Sequence, residues 1–463
     1  MNQSITISEQ VQRVFTAHAT LAAIGVKVRQ LRLLKPIFQK VKSVQKKVKY
    51  TSVEKLVDGL IAMLAGAHGL VEINKRVRPD AGLQRAFGRS GCAEQSVVQD
   101  TLDACTAETV EQMQQAVATI YREHSQGYRH NYRQGWQLLE VDMTGRPCGR
   151  KAAVASKGYF GRQRNRRGRQ VGYVVATPYE EIVVERVFDG RTQLTTALRP
   201  LVEAAEQTLD LDEEKRKRTI LRVDAGDGSV ADVNWMLARG YQVHGKDYSG
   251  SRAEKLAESV QKWVTDPGDP GRQFGWVTAP TADVYCRAVQ RIAVRCRKNN
   301  GQWGVGVILS TLAPQEVLIL TGQPAEQSDD ALAVLWAYVR FYDQRGGGIE
   351  IEIKEDKHGL GTLKRNKKRF AAQQMVVQLE VLAHNILVWA RRWLASTCPK
   401  VAHFGLLRLV RDVFHMNGVI VCDCTTNIVQ IVLNRADPLA KPLCTGLAGL
   451  LAQGQVAVTL GET

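Results

Sequence analysis

Three acidic residues stand where metal-assisted phosphoryl transfer would need them. Asp142 ends the apolar run WQLLEVD, Asp224 ends a second run, TILRVD, and Glu350 opens a helical stretch in GGGIEIEIKEDK. A carboxylate at the end of a buried strand is costly unless something cationic shares it. Oxygen ligands suit Mg²⁺ or Mn²⁺ and not zinc. Two such ions, about 3.5–4 Å apart, clamp the attacking and leaving oxygens of an in-line displacement at phosphorus. Plainer roles exist for each acid. Asp224 and Asp227 suit the cap of a helix at 230, and helix N-termini attract acids such as Glu350. The charge around them favours the chemical reading: 63 Lys+Arg face 46 Asp+Glu, a net charge of +17. A chain this basic seeks a polyanion, and nucleic acid is the commonest one.

The elements that must position these acids follow from patterning. With 463 residues, of which 44% are hydrophobic and 24% charged, the chain is a folded protein of roughly two to four domains. Its nine cysteines include no C-x-x-C pair, which argues against a disulfide framework or thiolate zinc site. The polar start MNQSITISEQ lacks an apolar h-region, so no signal peptide is expected. The longest apolar stretch, 56–73, carries Asp58 and His68 and is short of a membrane span. The absence of a G-x-x-x-x-G-K-[ST] loop counts against an ATP-driven motor. A cytoplasmic, nucleoid-associated protein is the expectation.

Residues 1–130 read as an N-terminal helical, basic DNA-binding region. Nine Lys or Arg residues and no acid fall between 27 and 49, and apolar periodicity near 3.6 runs through 53–67 and 97–120. Strands are predicted over 136–142, 171–177, 182–188, 219–224 and 241–247, with helices over 192–209 and 230–239. Three strands, a helix, a strand, a helix and a strand make an α/β core over 131–248. Residues 249–328 alternate or run apolar at 274–278, 285–297, 304–312 and 316–320, with a hairpin turn at Asn299-Asn300-Gly301. This predicts a β-rich insertion. Helices over 330–342 and 349–395 complete the core (329–395), and 396–463 is a short mixed region suited to dimerisation.

The stretch 342–357 resembles the Y-R-E-K signature of bacterial insertion-sequence DDE transposases, which runs Tyr, two residues, Arg, three residues, Glu, six residues, Lys. Tyr342, Arg345, Glu350 and Lys357 match it, with four residues between Arg345 and Glu350 where the family has three. The offset leaves Glu352 as an alternative third acid, although Glu350 keeps the spacing to Lys357 and shares a helix face with Lys354 and Lys357. Asp142 with Thr144-Gly145-Arg146-Pro147, and Asp224 with Ala225-Gly226, are similar to the first- and second-aspartate motifs of these enzymes. The segment from Arg369-Phe370 to Ala383-His384-Asn385 resembles the helical stretch after their glutamate. The likeness spans roughly residues 130–395.

The resemblance implies an RNase H-like catalytic core interrupted by a β-rich insertion. It implies that Asp142, Asp224 and Glu350 hold two Mg²⁺ (or Mn²⁺) ions that activate water and later a DNA 3′-hydroxyl. Tyr342 and Arg345 would orient the DNA end, and Lys357, with Lys354 beside it, would meet its backbone. Gly346, Gly347 and Gly348 would admit DNA close to the backbone, or simply form a loop. Arg162, Arg164, Arg166 and Arg167, then Lys364 and Arg365, extend the DNA track. Relatives that cut through a hairpin stack a flipped base on an insertion aromatic; Trp303, beside the Asn-Asn-Gly turn, is the candidate, with core packing as its alternative. The implied function is cut-and-paste transposition: a homodimer binds the terminal inverted repeats of its own element in double-stranded DNA, cleaves the ends and joins them to target DNA. The alternatives are a domesticated, inactive DNA-binding relative and a nuclease of the same fold without joining activity.

Overall fold

The computed structural model describes residues 11–43, 45, 49–160, 163–224, 229–247, 250–280 and 284–462, except the side chains of 159, 163–165 and 247. In chain order its strands are β1 (Gln12–Thr16), β2 (Gln137–Pro147), β3 (Ser156–Phe160), β4 (Gln163–Ala176), β5 (Glu181–Asp189), β6 (Thr219–Val223), β7 (Gln242–Asp247), β8 (Val264–Asp266), β9 (Asp269–Trp276), β10 (Gln290–Arg297), β11 (Trp303–Ser310), β12 (Gly418–Cys422), β13 (Ile428–Asn434) and β14 (Ala457–Gly461). The chain folds as two compact units. One comprises Gln126–Arg150 and Val154–Ile353; the other comprises Met1–Ser125, Lys151–Ala153 and Lys354–Thr463.

The first unit is built on one mixed α/β sheet in the order β3-β4-β2-β6-β7-β11-β10-β9-β8, with β5 also paired to β4. Strands β5, β4 and β2 are antiparallel, whereas β2, β6 and β7 run parallel. Parallel neighbours need crossovers, which the helices Leu194–Leu209 and Val230–Ala238 supply. Every residue of β6 is buried, as are the first five of β2, which is why both read as mainly apolar runs, each interrupted by one charged residue.

Residues 264–310 do not stand apart from this sheet. Strand β11 pairs antiparallel with β7, from Val307 opposite Asp247 to Ser310 opposite His244, and β10, β9 and β8 follow outward. Leu138 and Ile220 share one apolar cluster with Phe274, Ile292 and Ile308, closed over by Leu335, Tyr338 and Phe341 of the helix Ala331–Asp343. The strand expected over 316–320 is a helix, Pro314–Leu320. Pro314 sits in its first turn, the Ala313 N–H is taken by the Glu316 carboxylate at 2.8 Å, and Val317 and Leu318 are buried. A short apolar run fits either element, and the proline decides it.

The helix expected without a break over 349–395 is two helices, Ile349–Gly359 and Phe370–Ala395. Between them Gly361 takes φ +64, and a Cβ there would lie 2.9 Å from the His68 Cα. Only glycine fits both constraints. In this second unit the helix Phe370–Ala395 packs against Ser52–Leu64, Gln95–Asp103 and Ala107–His124. A four-stranded sheet, β1-β12-β13-β14, completes the unit.

Candidate active site

Strands β2 and β6 are in register with Val141 opposite Val223. The residues that follow, Asp142 and Asp224, therefore sit side by side where the parallel pairing stops, at a strand spacing of about 4.8 Å; β6 ends there, whereas β2, expected to end at Asp142, runs on along β4 to Pro147. Each carboxylate is met by a residue from the end of the helix Ala331–Asp343. The Tyr342 hydroxyl donates to Asp224 Oδ1 at 2.6 Å. Arg345, buried in the turn Gln344–Gly347, places Nη2 3.3 Å from Asp142 Oδ2. Asp142 Oδ1 accepts the N–H of Met143 at 2.7 Å. That helix end is itself anchored: Arg272 of β9 forks onto the Asp343 carboxylate with two 2.8 Å bonds.

Electrostatics sharpen the picture. Burial pushes the Asp142 carboxyl up to about 6; the nearby charges of Asp224 and Glu350 push the same way, against Arg345 and the Met143 N–H. Burial, then Asp224, drives the Tyr342 hydroxyl far above its ordinary range, so it remains an O–H donor. Burial works against the charge of Arg345, but Asp142 and Asp224 hold its guanidinium above the ordinary value. Its Nη1 is buried with no hydrogen-bond partner among the described residues. The arrangement is short of positive charge at Asp142 and short of an acceptor at Arg345, which is what a cation and a phosphate oxygen would each supply.

Glu350 lies in the first turn of the helix Ile349–Gly359 and is exposed, whereas Glu352 is buried. The Glu350 charge acts on both Asp142 and Tyr342. Among the described residues, however, no group of three His, Cys, Asp or Glu side chains is arranged to hold a metal ion. Residues 225–228, with Asp227, lie outside the described residues. Lys354 and Lys357 follow on the same helix, exposed and half-buried respectively.

The wider basic track divides. Arg166 and Arg167 are exposed on β4, with Arg167 donating to the Ala155 carbonyl at 2.9 Å. Arg162 and the side chain of Arg164 lie outside the described residues. Lys364 is exposed, but Arg365, expected on DNA, is buried and donates to the carbonyls of Leu360 and Ala67. It satisfies backbone acceptors at the helix break and is withdrawn from solvent. Trp303 is half-buried and sits against guanidinium groups, with Arg295 at 4.6 Å and Arg297 at 5.6 Å; Arg295 also covers Trp263 at 4.0 Å. Trp276 is the insertion tryptophan that packs on the large core cluster.

Three residues near the acids escaped the sequence reading. Lys246, at the end of β7, holds Nζ 5.5 Å from the Tyr342 ring centre. Glu140 and Arg222 face each other in register on β2 and β6 and form a fully buried ion pair at 2.5 Å. The available signal was a charged residue inside each apolar run, LLEVD and ILRVD.

No family model matches the chain, and no curated protein matches it. A solved structure described as the cryo-EM structure of piggyBac transposase synaptic complex with hairpin DNA is similar to it over 96% of this chain and 84% of that one, at 11% identity and a TM-score of 0.45. At that level the likeness assigns no residue a role.

Proposed function

We propose that the chain is a DDE-type DNA transposase that uses Asp142, Asp224 and Glu350 for metal-dependent cleavage and joining of DNA. One observation carries the reading. Two aspartates, side by side where the parallel pairing of β2 with β6 stops, are each engaged by a residue of a single short segment, Tyr342 on Asp224 and Arg345 on Asp142. The order β5-β4-β2 antiparallel, then β6 and β7 parallel, supports an RNase H-like core, with 249–328 as its β-rich insertion.

The Asp142 carboxyl, raised by burial and by the nearby charges of Asp224 and Glu350, fits a hard divalent cation such as Mg²⁺ or Mn²⁺. Asp142 and Asp224 would hold the ions, with Glu350 as the third ligand. When bound, the ions polarise the scissile phosphate and the attacking oxygen. Arg345, released from Asp142, turns its fork onto a non-bridging phosphate oxygen, and the Tyr342 hydroxyl keeps Asp224 in place. Lys354, Lys357, Arg166 and Arg167 neutralise backbone phosphates. The substrate would be the terminal inverted repeats of the protein's own element, paired by a homodimer before joining to target DNA.

The test is Mg²⁺-dependent cleavage of DNA from the flanks of the coding region. Wild type should release a 3′-hydroxyl end and Asp224→Asn should not. Tight binding by both without cleavage, in Mg²⁺ or Mn²⁺, would replace the enzyme with a DNA-binding relative.

A further inference from the structure

Beneath the acids lies a second ionic layer that joins every element of the site. Glu140 precedes Asp142 by two residues on β2 and so points to the same face. Its carboxylate is 0% exposed. One oxygen, Oε1, takes Arg222 of β6, two residues before Asp224. The other, Oε2, accepts the Ile349 N–H at 2.8 Å and the Thr177 hydroxyl at 2.9 Å. Arg222 reaches on to the Phe341 carbonyl at 2.5 Å, beside Tyr342. Ile349 is the first residue of the helix that carries Glu350, and its N–H has no acceptor within that helix. The preceding residue is Gly348, where a Cβ would stand 2.4 Å from Glu140 Oε2. The approach is therefore open only to glycine.

We infer that Glu140, with Arg222, is a positioning pair that fixes the strand of Asp142, the strand of Asp224 and the helix start of Glu350 at one spacing. The pair touches neither metal nor DNA. Its role rests on the function proposed above, since it matters only if those three acids act together. A buried pair of this kind adds little net stability over an apolar substitute, but removing one partner alone is strongly destabilising. The exchange of both is therefore the informative one.

The experiment compares wild type with Glu140→Gln/Arg222→Met, with Thr177→Val, which keeps the ion pair, and with Gly348→Ala, which keeps both charges but forces the helix start away from Glu140. Mn²⁺ binding is read by electron paramagnetic resonance and cleavage by gel, after thermal melting shows each protein folded. The expected result is Mn²⁺ half-saturation raised about tenfold or more in the double variant and in Gly348→Ala, with DNA binding retained. Thr177→Val should shift it several-fold in the same direction. Folded variants that bind Mn²⁺ and cleave as wild type does would overturn the positioning role alone. Wild type that binds no Mn²⁺, or an Asp224→Asn variant that still cleaves, would overturn the metal reading and this inference with it.

Discussion

Two carboxylates on one strand, two residues apart, are treated in opposite ways. Glu140 has both oxygens taken, by a guanidinium, a backbone N–H and a hydroxyl. Asp142 has its neighbour's N–H and one 3.3 Å contact to Arg345, while burial and two nearby acids push its carboxyl up to about 6. The lower layer is tightly closed; in the upper one Asp142 is held only by that N–H and the longer Arg345 contact. A buried charge whose needs are met is architecture. One less completely met is where the proposed function puts its chemistry.

The sharpest way to break this contrast is to remove each charge in turn. Asp142→Asn should lower cleavage by about 4 kcal/mol of transition-state stabilisation, on the order of a thousandfold, while leaving the folded state intact. Glu140→Ala should instead cost about 3–5 kcal/mol of folding stability by stranding Arg222. Urea denaturation beside a cleavage assay checks both, and equal stability losses would erase the distinction. Next in size is Arg345→Lys, which keeps a charge but loses the fork. Cleavage should fall roughly ten- to a hundredfold, and a full-activity lysine variant would show that no phosphate is gripped there. Tyr342→Phe removes one hydrogen bond to Asp224 and should slow cleavage roughly three- to tenfold, seen in single-turnover rates.

The smallest effect is a slope. In metal-free protein the folded Asp142 carboxyl keeps its proton up to about pH 6, whereas an unfolded one has released it from its ordinary value of 3.8. Folding therefore takes up a proton in that window, and stability falls as pH rises from about 4 to about 6. Melting curves in chelator should show this decline in wild type and a flatter profile in Asp142→Asn. Parallel profiles would place the perturbed acid elsewhere.

Much of the upper layer was legible in the sequence. Buried parallel strands print as apolar runs, so the strands that carry Asp142 and lead into Asp224 could be read, although β2 does not stop at Asp142 but continues to Pro147 along β4; Tyr342 and Arg345 lie close enough in sequence to be seen as a unit. The lower layer was not legible, because Glu140 and Arg222 meet only through the register of β2 on β6, which no local pattern encodes. The helix Pro314–Leu320 was lost to the ambiguity of a seven-residue apolar run. The break before Phe370 depended on Gly361 lying against His68, a contact spanning most of the chain. Arg365 looked like one more surface cation because burial cannot be read from charge.

Strand β1 lies at residues 12–16 and hydrogen-bonds to β12 at 418–422, whereas every strand of the larger sheet falls between 137 and 310. At about 5–20 residues per second of synthesis, β1 waits roughly 20–80 s for its partner. Over that interval it is an open strand edge bearing Phe15, which stays exposed even in the finished fold. The acid-bearing sheet meets no such delay. Every strand of the larger sheet is therefore synthesised before the partner of β1, and the smaller sheet is the last that can close.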